Sequence, residues 1–119
     1  MKLFIILFIT FIFIINTFEQ ILPLEEWFNL NVNGMRAMTL AREGAELFGT
    51  MRNKTFTLIR VTRAQARDEL DGLIIRVKRR IDFLARTFNC LRSGGCVRHL
   101  RFIVIRYPNR TRITDVFLL

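Results

Sequence analysis

One serine, Ser93, and one histidine, His99, are all that 119 residues contain of two side chains on which much enzyme chemistry depends. That scarcity removes most catalytic arrangements. A serine nucleophile needs a base beside it, and Ser93 lies inside a short Gly loop. Cysteine is nearly as rare. Cys90 or Cys96 could form a thiol–imidazole pair with His99 only as a free thiol, and two cysteines plus one histidine fall short of the four ligands of a structural zinc site. The acidic run Asp68-Glu69-Leu70-Asp71-Gly72 lacks the spaced carboxylates of a calcium loop. With no glycine-rich phosphate loop either, the sequence predicts a non-enzyme without a cofactor or small-molecule substrate.

Lysine is also scarce: Lys2, Lys54 and Lys78 are the only three among nineteen basic residues, so the formal net charge of +9 is carried by arginine. A guanidinium is a planar, weakly hydrated fork that matches phosphate, sulfate or carboxylate in paired hydrogen bonds. The charge is also unevenly placed. Only Lys2, Arg36, Arg42 and Arg52 precede Lys54, which leaves fifteen basic residues from Lys54 onward, against Asp68, Glu69, Asp71, Asp82 and Asp115. The expected anion- or partner-binding residues are Arg76, Lys78, Arg79 and Arg80, followed by Arg98, Arg101, Arg106, Arg110 and Arg112.

What is abundant is apolar residues at the start. Leu3 to Ile15 run for about 13 residues behind Lys2, the length of a secretory h-region and short of the roughly 20 that span a bilayer. Residues 1–19 therefore read as a signal peptide and 20–119 as one small basic domain. The expected location is extracellular. No small-x-small cleavage pattern is present, so a retained signal-anchor is the alternative, with a buried N-terminal core helix a further one. Two features fit export. Asn53-Lys54-Thr55 and Asn109-Arg110-Thr111 match the N-glycosylation pattern. Cys90 and Cys96, joined by a segment containing Gly94-Gly95, read as a disulfide-closed loop.

Periodicity predicts a mainly α domain. Pro23, Glu25 and Glu26 suit a helix start, and Met38, Ala41, Ala45 and Phe48 share one face of a helix from Met35 to about Phe48. Phe56, Ile59, Ala66, Leu70, Leu73, Val77, Ile81, Leu84, Phe88 and Leu91 recur at spacings of three and four, which predicts one long amphipathic helix over 56–91 with a bend near Gly72. Residues 97–119 alternate as a C-terminal β-hairpin turning at Pro108-Asn109, or else form a short helix.

The function expected on these grounds is that of a small secreted basic glycoprotein that binds an extracellular protein, an anionic glycan or an anionic membrane surface. A signal-anchored membrane protein with a cationic surface helix is the second reading, and a nucleic-acid-binding protein the third.

Overall fold

The computed structural model describes residues 25–119; the expected signal peptide over 1–19 lies outside the described residues. The chain forms β1 (Phe28–Asn29), α1 (Met35–Arg52), β2 (Thr57–Asp71), β3 (Ile74–Thr87), β4 (Cys96–Arg106) and β5 (Arg112–Leu118). The strands make one antiparallel sheet in the order β1-β2-β3-β4-β5, and α1 packs across one of its faces. The expectation of a mainly α domain is therefore corrected: the fold is a meander sheet with a single 18-residue helix among the described residues.

The predicted helix over 56–91 is a β-hairpin, and its first strand is irregular. Register shifts between Leu58 and Arg60 and between Val61 and Arg63 each insert an extra residue into β2. A bulge advances the inward-facing phase by one position. The residues that β2 turns toward α1 are consequently Leu58, Val61, Ala64 and Ala66, of which only Ala66 belongs to the predicted stripe, while Ile59 of that stripe is exposed. Gly72, where a bend is expected, begins the two-residue loop Gly72-Leu73, and its positive φ of 65° is the geometry such loops require. The helix start expected at Glu25 and Glu26 is also corrected, Pro23 lying outside the described residues. Residues 28–29 are extended against β2, and flanking bonds from Glu25 N–H to the Asp68 carbonyl and from Leu30 N–H to the Ala64 carbonyl prolong the pairing. Residues 97–119 adopt the strand alternative, as β4 and β5.

The core is built as rungs across the sheet. Val61, Phe83 and Leu100 are aligned; so are Ala64, Ile81, Phe102 and Val116. Phe83, Phe102, Ile81, Leu100 and Val104 are fully buried, and each such side chain contributes roughly 1.5–3 kcal/mol of transfer free energy. Against them α1 turns Ala37, Ala41, Gly44 and Ala45, small residues that let the helix approach the sheet. At Gly44 the approach is closest, since a Cβ there would stand 2.8 Å from the Phe102 Cβ.

Along the strands the apolar rungs give way to charge. The rung after Ala64–Ile81–Phe102–Val116 is Ala66–Arg79–Val104–Thr114, and the next is Asp68–Val77–Arg106–Arg112. The N-terminal end of α1 lies over these charged rungs. At the opposite end, Cys90 and Cys96 are disulfide-bonded with Cα atoms 6.2 Å apart, closing the β3–β4 loop.

Candidate anion-binding surface

The strand period of two divides the predicted Arg76–Arg80 cluster. Arg76, Lys78 and Arg80 point to the face away from α1, and Arg79 points toward it. The two sets do different work.

On the outer face most guanidiniums are already engaged. Arg101 donates two hydrogen bonds, of 2.7 and 3.0 Å, to the buried Asp82 carboxylate. Arg76 donates to Glu69 and to the Tyr107 hydroxyl, and Arg67 forms an ion pair with the other oxygen of Glu69. Arg80 donates to Gln65 at 2.7 Å. Trp27 lies on this face rather than in the core, its indole ring clamped by Arg80 at 3.9 Å and Arg67 at 4.5 Å. These contacts satisfy buried carboxylates and pin the β1 segment to the sheet. Arg80 and Arg101 therefore act here as structural residues, although the sequence marks them for binding.

On the inner side, near the start of α1, the pattern is different. Arg79 and Arg106 project from the sheet and Arg36 from the first turn of the helix. None of the three makes an ion pair with a carboxylate among the described residues. Burial, and then the neighbouring charges of Arg36 and Arg106, push the Arg79 guanidinium below its usual value, with Asp68 acting in the opposite sense. Arg106 also stands directly opposite Arg112 in the β4–β5 ladder, a like-charge pairing that destabilises a sheet. Arg112 is relieved by the Glu43 carboxylate, which takes its second hydrogen bond at 2.6 Å. An open pocket of about 480 Å³ lies at the start of α1, lined by Met35, Arg36, Leu40, Glu43, Arg106 and Arg112.

The remaining predicted residues are dispersed. Arg110 sits in the β4–β5 turn with φ 69°, at the same end of the sheet as Arg106. Arg98 is exposed at the disulfide end. Asn53 and Asn109 are exposed in turns at opposite ends of the molecule: Asn53 is the left-handed C-cap of α1, and the Asn109 side-chain carbonyl accepts the Thr111 N–H at 3.0 Å. His99 lies 3.0 Å from the Thr62 hydroxyl. With both thiols in the disulfide, no thiol–imidazole pair forms. Sequence reasoning misses Arg36 because it belongs to the slightly acidic first third of the chain. Only knowledge of which rung α1 starts over would place it beside Arg79.

Two carboxylates give this end an acid sensitivity. Hydrogen bonding to Arg112 holds the Glu43 carboxyl below its usual 4.5, against the opposing effect of burial. For Glu69, burial pushes upward but is outweighed by Arg67, Lys78 and Arg76, so its value also lies below 4.5. A carboxyl that is more acidic folded than unfolded contributes stability that is complete above the unfolded value and vanishes as pH falls through the folded one. The thermal midpoint should therefore hold level from pH 8 to about 5 and decline below about 4.5. In the Glu43→Gln/Glu69→Gln protein that acid limb should flatten; an unchanged limb would assign it to other groups.

Comparison of the chain with models of protein families, with curated proteins and with solved structures found no match. Among the described residues, no helix is long and apolar enough to cross a membrane.

Proposed function

We propose that this is a secreted, non-catalytic binding protein that engages an anionic surface through the end of the sheet bearing Arg36, Arg79 and Arg106. One observation carries the reading: Arg36, Arg79 and Arg106, none with a carboxylate partner among the described residues, meet at the edge of the core, where burial and the charges of the other two disfavour the Arg79 guanidinium. Departures from local consistency concentrate at functional sites, and perturbed charges in a cleft mark candidate binding groups. A multivalent anion would relieve the repulsion, which is the differential interaction that binding requires. Arginine in place of lysine at all three positions suits phosphate and sulfate, which guanidinium meets with two hydrogen bonds at once. The outer face supports the assignment by contrast, because its Arg67, Arg76, Arg80 and Arg101 are occupied with Asp82, Glu69, Gln65 and Trp27.

Secretion and glycosylation at Asn53 and Asn109 belong to the same proposal. They are supported by the apolar leader, the closed disulfide and the exposure of both sequons. Two measurements on protein made in a eukaryotic secretory host test it. The secreted product should be shorter than the full chain by about the h-region and its flanks, and should lose mass on enzymatic removal of N-glycans. It should bind immobilised heparin and anionic vesicles with an affinity that falls at least about tenfold between 50 and 200 mM salt, as screening shortens the reach of exposed charges. Binding indifferent to salt, or no binding to either, would sink the proposal.

A further inference from the structure

The β2–β3 hairpin ends in a tip whose composition the cationic surface does not explain. β4 pairs with β3 only as far as Arg106 opposite Val77, so Glu69 to Arg76 stand beyond it as a two-stranded ribbon. Loop tips are ordinarily small and polar. This one carries Leu70, Leu73, Ile74 and Ile75, with Leu73 wholly exposed and the other three between 39% and 52% exposed. The pairing places Leu70 and Ile75 on one face of the ribbon, Ile74 on the other and Leu73 at the apex. A patch meant to lie flat on a neighbouring protein would be apolar on one side. This tip is apolar on both faces and at its point, which suits a medium that surrounds it.

Its dimensions fit such a medium. At about 3.3 Å per residue, the stretch from the Gly72-Leu73 loop back to Leu70 and Ile75 is about 7–10 Å deep, and interfacial apolar elements enter the headgroup and upper acyl region by about 5–10 Å. Apart from Asp71, which stands opposite Ile74, charge begins where the apolar stretch ends. Around this end of the sheet stand Arg36, Arg67, Arg76, Lys78, Arg79, Arg106, Arg110 and Arg112, against Glu43, Asp68, Glu69 and Asp71: eight cations facing four carboxylates. The carboxylate nearest the tip is drawn back toward the collar, since Asp71 accepts the Tyr107 hydroxyl at 3.1 Å and lies 3.7 Å from Arg76.

We infer that the hairpin tip is a membrane wedge: Leu70, Leu73, Ile74 and Ile75 insert into the interfacial layer of an anionic lipid bilayer while Arg36, Arg79 and Arg106 of the arginine collar meet the headgroup phosphates. The inference rests on the anionic-surface reading above and specifies its partner. Phospholipid phosphate satisfies the guanidiniums, the acyl boundary satisfies the tip, and a soluble polyanion offers only the first. The disulfide loop at the opposite end provides an internal control. Its Leu91 is wholly exposed, yet the loop is closed on itself and projects no paired ribbon.

The test uses the full secreted chain with its disulfide intact. In the Leu73→Trp protein, phosphatidylcholine vesicles containing phosphatidylserine should shift the new emission to shorter wavelength, and shallow brominated lipid should quench it. The Leu73→Asp/Ile74→Asp protein should lose at least about tenfold in vesicle affinity at physiological salt, as expected when two apolar side chains stop being buried. Because two added carboxylates weaken binding to any polyanion, the charge-neutral Leu73→Asn/Ile74→Asn protein is the sharper arm: it should lose vesicle affinity yet elute from heparin unchanged, and Leu91→Asp should leave vesicle affinity unchanged. All three substituted side chains are exposed, so folding is not at issue, and circular dichroism verifies this. Heparin binding together with an unmoved emission in the Leu73→Trp protein and a neutral aspartate variant would overturn the wedge while leaving the surface reading intact. Failure to bind both heparin and vesicles would remove both. A dimer in sedimentation equilibrium that the aspartate variant dissolves, with vesicle affinity unaffected, would assign the tip to a second copy of the chain and likewise overturn the wedge.

Discussion

Replacing Arg36 and Arg106 by glutamine and Arg79 by methionine should lower affinity for anionic vesicles by more than a hundredfold while raising thermal stability. A basic residue near an anionic surface is worth about 1 kcal/mol, and three of them make a factor of over a hundred at 1.4 kcal/mol per decade. Stability should move the other way. Burial and the charges of Arg36 and Arg106 oppose the charged form of Arg79, and the Arg106–Arg112 pairing sets like charges side by side in the ladder. Methionine keeps most of the length of the arginine stem at 79 and is tolerant of irregular packing. Relief of surface-charge conflict of this kind commonly yields about 0.5–2 kcal/mol. Thermal unfolding and vesicle co-sedimentation on the same samples check the pair of signs. If stability fell with affinity, the cluster would be holding the fold together and its place in binding would be lost.

The second large effect concerns the core beneath that surface. Phe102→Ala should cost about 3–5 kcal/mol, as emptying a phenylalanine site in a packed interior does. A domain of this size has only about 5–15 kcal/mol in total, so the thermal midpoint should fall by roughly 15–30 °C. Phe102 is fully buried, one rung from Arg79, with α1 pressed on it at Gly44. That contact adds a sharper test. Gly44→Ala in the native background places a Cβ 2.8 Å from the Phe102 Cβ, and the overpacking, about 1–3 kcal/mol, exceeds the roughly 1 kcal/mol that alanine gains over glycine in a helix. With Phe102 already truncated to alanine the contact to its Cγ at 2.9 Å is gone, the contact to its Cβ stays, and the emptied ring site gives the helix room to shift. The same substitution should then cost less than it does in the native background, a coupling read from denaturant midpoints of the four proteins.

Local signals are legible in the sequence where one element sets its own pattern. Met38, Ala41, Ala45 and Phe48 mark α1 to within a few residues. Two cysteines separated by a Gly-Gly segment mark the disulfide, and Pro108-Asn109 marks the turn between β4 and β5. The 56–91 segment misleads because Ile59, Leu73 and Leu91 of its helical stripe are exposed while Leu58, Val61 and Ala64, which face α1 through two bulges, fall outside it, and because Arg79 takes an inward position where a hydrophobe is expected. The candidate site is half legible. Arg79, Arg106, Arg110 and Arg112 stand out by charge, but so do Arg80 and Arg101, whose carboxamide and carboxylate partners, Gln65 and Asp82, come from neighbouring strands. Nothing short of strand register separates an arginine facing Asp82 from one facing Arg36. The wedge leaves a visible trace, three apolar residues directly after a turn glycine, which the helical reading absorbs into a buried stripe.

The passage from apolar to charged rungs along each strand also has a dynamic meaning. Amide hydrogens in the middle of the ladder, about Ile81 to Ala85 and Leu100 to Val104, are backed by the buried core, and their exchange should require global unfolding. Those from Leu70 to Arg76 belong to a ribbon without β4 beside it and should exchange through local fraying. Resistance to opening is thus graded from one end of the sheet to the other, and the end assigned to binding is the compliant one. The hairpin can bend or splay to follow a contoured surface while the helix, the disulfide and the phenylalanine rungs stay closed.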